Sequence, residues 1–352
     1  MAPIIRAIDV GFGNTKYVVA STPGKIDCAQ FPSIAYFMFG DAAQDAMGTK
    51  RKTVAPHVDG LYYEVGPDVE LASDRFRGRN LHDGFSETPE YRALLAGALH
   101  FMKVDRVDLL VLGLPVAQYV AKKAALEKLS GLTLDVGRKR KVSLGRVIAV
   151  AQPQGALFAY ATQLGAPSSV AQGRSLVVDV GSRTFDWLVT HGMKVVTKMS
   201  DSVTRGVSDV LLAIAREIGR ELKEDYRNLE AIDLALRSGK KLRAYQREYD
   251  LKRYDTIVQK VADQAVVAMV QSLDGKDQIE NIVLVGGGAQ LFRKAVKKHF
   301  PRHEIHEVNE PIYANVRGFQ LLGELYAREK PDLAHELAGS ATAATTATEA
   351  RP

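Results

Sequence analysis

Apolar and polar residues follow strand and helix periods in turn along most of the chain. Residues 4–10 form an apolar run that breaks at Gly11-Phe12-Gly13-Asn14 and resumes from Thr15. Two β-rich runs around a short Gly/Asn turn predict a hairpin. Thr88-Pro89-Glu90 has an N-cap residue followed by proline. It predicts a helix over about 89–103, with Leu94, Leu95, Ala98 and Leu99 on its apolar face. Residues 107–112 are continuously apolar, as in a strand buried on both faces, and Gly113-Leu114-Pro115 ends it. A helix carrying Lys122, Lys123, Glu127 and Lys128 outward follows, then a strand over 142–150 and a helix over about 155–163. Residues 176–189 repeat the hairpin signal. An amphipathic helix is predicted over 207–222, through Val210, Leu211, Ile214 and Ile218. The charged stretch 223–255 reads as helical and leads into a long helix ending near Leu273; a buried strand over 281–285 and a last helix over about 316–328 follow. Strands alternating with helices predict an α/β fold.

The two hairpins carry the chemistry. Asp9 ends the first strand of one and Lys16 stands near the start of its second strand, with Gly11 and Gly13 between them. A glycine-rich turn can offer backbone N–H groups to phosphate oxygens while a lysine adds a point charge. A carboxylate at that place can hold the cation that accompanies phosphates. The alternative is an ordinary hairpin with a buried Asp. The pattern returns 170 residues later: Asp179 aligns with Asp9, Val180 with Val10, Gly181 with Gly11 and Val189 with Val19. A repeat of this length predicts duplicated domains.

On these residues the chain resembles the actin-type ATPases, the superfamily shared by actins, sugar kinases and heat-shock chaperones. Asp9-x-Gly11-x4-Lys16 is similar to the first phosphate motif, and Asp179-x-Gly181-x2-Thr184 to the second. The segment 282–289, Ile-Val-Leu-Val-Gly-Gly-Gly-Ala, is similar to the adenosine motif. Within the superfamily the size, Pro153-Gln154-Gly155-Ala156 and Ala314-Asn315-Val316-Arg317-Gly318 resemble the plasmid-segregation actins of the ParM/StbA type.

The resemblance implies two actin-like, ribonuclease H-like domains flanking a nucleotide cleft. The first would span residues 1–152, with a small inserted subdomain over about 25–85 and completion by a helix over about 313–330. The second would span 153–312. ATP, or GTP, would bind with Mg2+ held by Asp9 and Asp179. Gly11, Gly13, Asn14, Thr15 and Lys16 would line one side of the phosphates, and Gly181, Ser182, Arg183 and Thr184 the other. Gly206 and the Gly286, Gly287 and Gly288 turn would complete the nucleotide contacts, and Glu221 and Lys223 to Arg227 would lie near ribose and adenine. A Gln that positions the attacking water falls at Gln154, with Gln152 as its rival. Ser182 and Arg183 depart from the family's small residues; the guanidinium points either to the phosphates or to solvent. The resemblance further implies filaments, ATP hydrolysis and plasmid segregation through a DNA-binding adaptor, so that DNA contact is indirect. The alternatives are a small-molecule kinase of the same superfamily and an actin-like division or shape scaffold.

Composition narrows this little. The 352 residues are 46% hydrophobic and 25% charged, a globular balance with room for two cores. No apolar stretch approaches a membrane span and no signal-peptide pattern precedes the first strand, so a cytoplasmic protein without membrane contact is expected. The lone cysteine, Cys28, reads as packing in a strand, and Trp187 reads as core. The net charge of +6 is mild, and its densest run, residues 138–141, reads as a solvated turn or, more sharply, as a filament or DNA contact. His299, His303 and His306 read as surface histidines, and the Ala/Thr-rich tail over 338–352 as disordered.

Overall fold

The computed structural model describes residues 2–38, 51–71, 84–163, 170 and 172–330. The chain divides into two compact units, Met1–Gln163 with Tyr313–Pro352, and Leu164–Ile312. The 338–352 tail lies outside the described residues, as do 39–50 and 72–83 of the expected insert.

In the first unit the hairpin pairs β1 (Ile5–Val10) with β2 (Asn14–Thr22), and β3 (Lys25–Pro32) extends it. A short side sheet of β4 (Tyr36–Met38), β5 (His57–Val58) and β6 (Leu61–Glu64) follows. Then come helix α1 (Pro89–Met102), β7 (Arg106–Leu114), α2 (Val116–Glu127), β8 (Thr133–Asp135), β9 (Lys141–Ala151) and α3 (Gln152–Gln163). The main sheet runs β3-β2-β1-β7-β9-β8, with β1, β7 and β9 parallel. The Thr88 hydroxyl accepts from the Tyr91 amide at 3.2 Å and starts α1 as its sequence predicts. Alternation along β1 turns Ile8 and Val10 into the cluster that holds α1.

The second unit opens on β10 (Arg174–Val180), β11 (Phe185–His191), β12 (Lys194–Val195) and β13 (Asp201–Val203). It continues with α4 (Val207–Leu222), α5 (Leu229–Ser238), β14 (Leu242–Ala244), β15 (Arg247–Tyr249), α6 (Asp255–Ser272), β16 (Asn281–Val285), α7 (Ala289–His299) and β17 (Ile305–Glu307). Its sheet runs β12-β11-β10-β16-β17, the strand order of β3-β2-β1-β7-β9. The duplication visible in two Asp-x-Gly hairpins thus extends through five strands.

The stretch 223–255 is not continuously helical. Asn228 caps α5 by accepting from the Ala231 amide at 3.0 Å, and Gly239 ends it in the left-handed region. Strands β14 and β15 then bury Leu242, Ala244 and Tyr249, while Arg243, Arg247 and Glu248 take their exposed positions. Trp187 is core, and its Nε1 donates to the Ser272 hydroxyl at 2.9 Å. Cys28 is half-buried on β3. Two arginines of the basic run are engaged within the first unit: Arg138 donates to the Thr53 carbonyl at 3.1 Å and Arg140 to that of Val104 at 3.0 Å. No helix among the described residues is long and apolar enough to cross a membrane.

The chain returns to the first unit in α8 (Ala314–Glu329). Val316 and Phe319 of α8 pack with Ala7, Leu109 and Val111 on the sheet face opposite α1. Helix α3 lies against α8 so closely that a Cβ on Gly318 would strike the Gly155 carbonyl oxygen. This contact is why α3 belongs to the first unit, although the resemblance implies a second domain opening at residue 153. Gly318→Ala is expected to lower stability by about 3 kcal/mol, because backbone rather than a flexible side chain must move. The urea midpoint measures it.

Candidate functional site

In the first unit Asp9, on β1, is fully buried, and both of its carboxylate oxygens are engaged. Antiparallel register places Lys16 opposite Asp9. The Lys16 Nζ donates to Oδ2 at 2.9 Å, and the Gln152 Nε2 donates to Oδ1 at 2.7 Å. The Gly11 amide donates to the Asn14 carbonyl at 3.2 Å and closes the turn, while Gly13 accepts from the Ser33 amide at 3.0 Å. Thr15 is buried, with its hydroxyl against that of Ser33 at 2.9 Å, so it holds the loop rather than facing outward.

The structure therefore brings Gln152, not Gln154, to Asp9. Helix α3 begins at Gln152, and two residues on a helix turn the side chain by roughly 200°. Gln154 is half-buried and makes no side-chain hydrogen bond among the described residues. The expected role could not be assigned by counting along the loop, because only the helix phase decides which amide reaches β1.

In the second unit the Gly181 amide donates to the Thr184 carbonyl at 2.9 Å, the bond equivalent to Gly11–Asn14. Helix α4 docks directly on this turn: the Val207 amide donates to the Gly181 carbonyl at 3.1 Å and the Ser208 amide to the Ser182 carbonyl at 2.8 Å. Gly206 permits this, since a Cβ there would lie 2.5 Å from the Ser182 carbonyl oxygen. Arg183 and Ser182 are half-buried at the turn, and the Ser182 hydroxyl meets that of Ser208 at 3.2 Å.

The Gly286–Gly288 turn closes against the same hairpin. The Gly288 amide donates to the Val180 carbonyl at 3.0 Å. Gly286 adopts φ +89°, and a Cβ there would collide with the Asp179 Oδ1. The missing Cβ lets the Gly286 backbone pack directly against that carboxylate, and carboxylate oxygens suit a hydrated magnesium ion. Asp9, with Lys16 and Gln152 fixing it, is the corresponding carboxylate of the first unit. Magnesium would neutralise phosphate charge where it binds.

Two residues of the site carry no motif in the sequence. Asp186 stands opposite Asp179 in the β10–β11 register and is 1% exposed, so two carboxylates share one face of the hairpin. Its only signal is an Asp two residues after Thr184. Arg237 on α5 lies over Gly287, its Nη2 3.7 Å from where a Cβ would stand. Glu221, one of the residues expected near ribose and adenine, is held by the Tyr254 hydroxyl and by Arg253, each at 3.0 Å. Burial, then this hydrogen bond, pushes the Tyr254 pKa up to about 12. His299 pairs with Asp263 at 3.0 Å and His303 with the Lys276 carbonyl at 3.1 Å, so they do not converge.

Residues 7–155 match the family model of actin-like proteins, N-terminal domain, and residues 177–298 match that of the archaeal actin homologue MreB-like, C-terminal. The chain belongs to the actin-like proteins. Ta0583, an archaeal actin homologue, is 25% identical with a TM-score of 0.75, over 92% of this chain and 99% of that one. Its crystal structure in complex with ADP aligns with a TM-score of 0.71 at 23% identity, over 92% and 99% of the two chains. A 15-stranded ParM filament from Clostridium botulinum aligns with a TM-score of 0.73 at 19% identity, over 92% of this chain and 100% of that one. Comparison with curated proteins gives no match. In this actin-like chain the two matched models divide as the two hairpins do.

Proposed function

We propose that this protein is a nucleotide-driven, filament-forming ATPase that segregates plasmid DNA in the cytoplasm through a DNA-binding adaptor. The observation that carries the nucleotide reading is the Asp-x-Gly hairpin recurring at the same place in two sheets of equal strand order. The archaeal homologue with ADP supports nucleotide binding, and the ParM filament supports self-assembly. The Gly11–Lys16 and Gly181–Thr184 turns take the phosphates of one ATP or GTP, and Gly206 and Gly286–Gly288 its remainder. Asp9 and Asp179 hold the accompanying magnesium. Gln152 positions the attacking water: its Nε2 is fixed on Asp9, which leaves Oε1 to accept.

Gln152→Ala is expected to slow hydrolysis by about a hundredfold with ATP affinity nearly unchanged, since one positioning group is lost. Gln154→Ala is expected to stay within about twofold of wild type, because its side chain does not reach Asp9. Phosphate release and nucleotide titration test the pair; the opposite ranking restores Gln154. Pelleting with ATP, GTP, ADP and no nucleotide tests assembly, and a protein that never sediments overturns the filament reading.

A further inference from the structure

The basic run 138–141 has no part in the nucleotide reading. It forms the tip of the β8–β9 hairpin. The Arg140 amide donates to the Gly137 carbonyl at 3.1 Å, so Arg138 and Lys139 are the two central residues of a tight turn. Both lie in the left-handed region, at φ +54° and +58°, where asparagine and glycine are favoured. Lys103 ends α1 in the same region, at φ +56°, where glycine is usual. The helix end and the turn meet at one atom: the His100 carbonyl accepts from the Lys103 amide at 3.1 Å and from the Arg140 Nη1 at 3.3 Å. A cation at a helix C-terminus answers the helix dipole, which accounts for Lys103 but not for the pair in the turn.

The turn is fixed in place. A Cβ on Gly137 would strike the Val54 side chain, the Gly137 amide donates to the Asp135 Oδ1 at 2.7 Å, and Arg138 is tied to the Thr53 carbonyl. Carboxylates nearby are already engaged: Asp105 pairs with Arg140 at 3.2 Å, Asp108 with Arg106 at 3.6 Å, and Asp135 caps the turn. They leave Lys103, Arg138, Lys139 and Lys141 exposed and without an ion pair among the described residues. This edge lies at the start of the parallel strands, where Arg106 opens β7, whereas Asp9 lies near the end of β1.

Cations held out on a rigid turn suit a repeating anion, because little freedom is lost when it binds. A membrane-binding surface adds apolar wedges, and a single-stranded nucleic-acid site adds aromatic platforms. Residues 103–106 and 136–141 expose no large apolar or aromatic side chain. We propose that this edge of the first unit binds the phosphate backbone of duplex DNA directly, without reading its sequence. The contact goes beyond the adaptor and needs neither nucleotide nor filament.

Fluorescence anisotropy of a short labelled duplex of arbitrary sequence tests it, with the full chain and no nucleotide. Wild type is expected to bind, and to lose affinity steeply between about 50 and 200 mM salt. Changing Lys103→Asn, Lys139→Asn and Lys141→Gln together is expected to weaken binding by at least about tenfold at the lower salt. The slope of log affinity on log salt should become shallower by about two to three. Asparagine is tolerated at positive φ, so the melting temperature should not fall. Changing Lys194→Gln, Lys198→Gln and Lys240→Gln removes the same charge from exposed positions of the second unit. That variant is expected to stay within about twofold of wild type, since distant exposed charges are screened. Equal weakening in the two triple variants would make net charge the cause and overturn the proposal. So would a wild type that fails to bind duplex at the lower salt, or one that binds single-stranded DNA more tightly. Capture by vesicles of anionic phospholipid that duplex DNA does not compete away would make the edge a membrane contact and overturn it too. Each of these results leaves the nucleotide reading, which phosphate release tests, where it stands.

Discussion

Asp9→Asn is expected to cut magnesium-dependent phosphate release by about a thousandfold, the largest effect of any single change in the first unit. The reason lies in the donors around it. Lys16 and Gln152 each donate to one carboxylate oxygen, and the carboxylate accepts from both. An asparagine has one oxygen and one NH2, so a donor must face a donor. Either Lys16 loses a buried partner or Gln152 swings away, and the position that should hold magnesium loses its charge. Asp179→Asn is expected to match it in rate. Phosphate release across a magnesium series, with urea midpoints alongside, separates chemistry from folding. Full activity in both variants would remove the two carboxylates from the mechanism.

What the sequence made legible follows from range. The Asp-x-Gly hairpins are local, since strand, turn and strand lie within 18 residues, Ile5–Thr22 and Arg174–His191, and their repetition alone points to duplication. The Gly286–Gly288 turn is also local. Gln152 and Gln154 are not distinguishable locally, because both lie at the start of a helix and its first residue is set by where β9 ends against β7. Arg237 is harder still. It is fifty residues from Gly287 in the chain, on a helix whose charged face resembles any solvated one. The β14–β15 hairpin was hidden by Lys241, Arg243, Arg247 and Glu248, whose side chains cover a strand as readily as a helix. Its turn is taken by Tyr245 at φ +53°, a residue that gives no turn signal. The side of the glycine packing was equally invisible: Gly155 and Gly318 meet across more than 160 residues.

The second large effect is on assembly. A ligand shifts an association equilibrium only by its differential affinity for the two states. In the proposed reading the γ-phosphate is the group present in ATP and absent from ADP, and the two hairpin turns are what it touches. ATP is therefore expected to lower the critical concentration for polymer by at least about tenfold relative to ADP, equivalent to about 1.4 kcal/mol per subunit. Hydrolysis then raises it again, so wild-type polymer formed with limiting ATP should appear and decay. Gln152→Ala separates binding from hydrolysis. It keeps Lys16, Asp9 and both turns, so it should assemble at the ATP critical concentration and persist many times longer. Light scattering gives the time course, pelleting gives the critical concentration, and electron micrographs of the pellet distinguish filaments from aggregate. Equal critical concentrations with ATP and ADP would uncouple the nucleotide from assembly. A Gln152→Ala polymer that decays at the wild-type rate would show that something other than hydrolysis limits its lifetime.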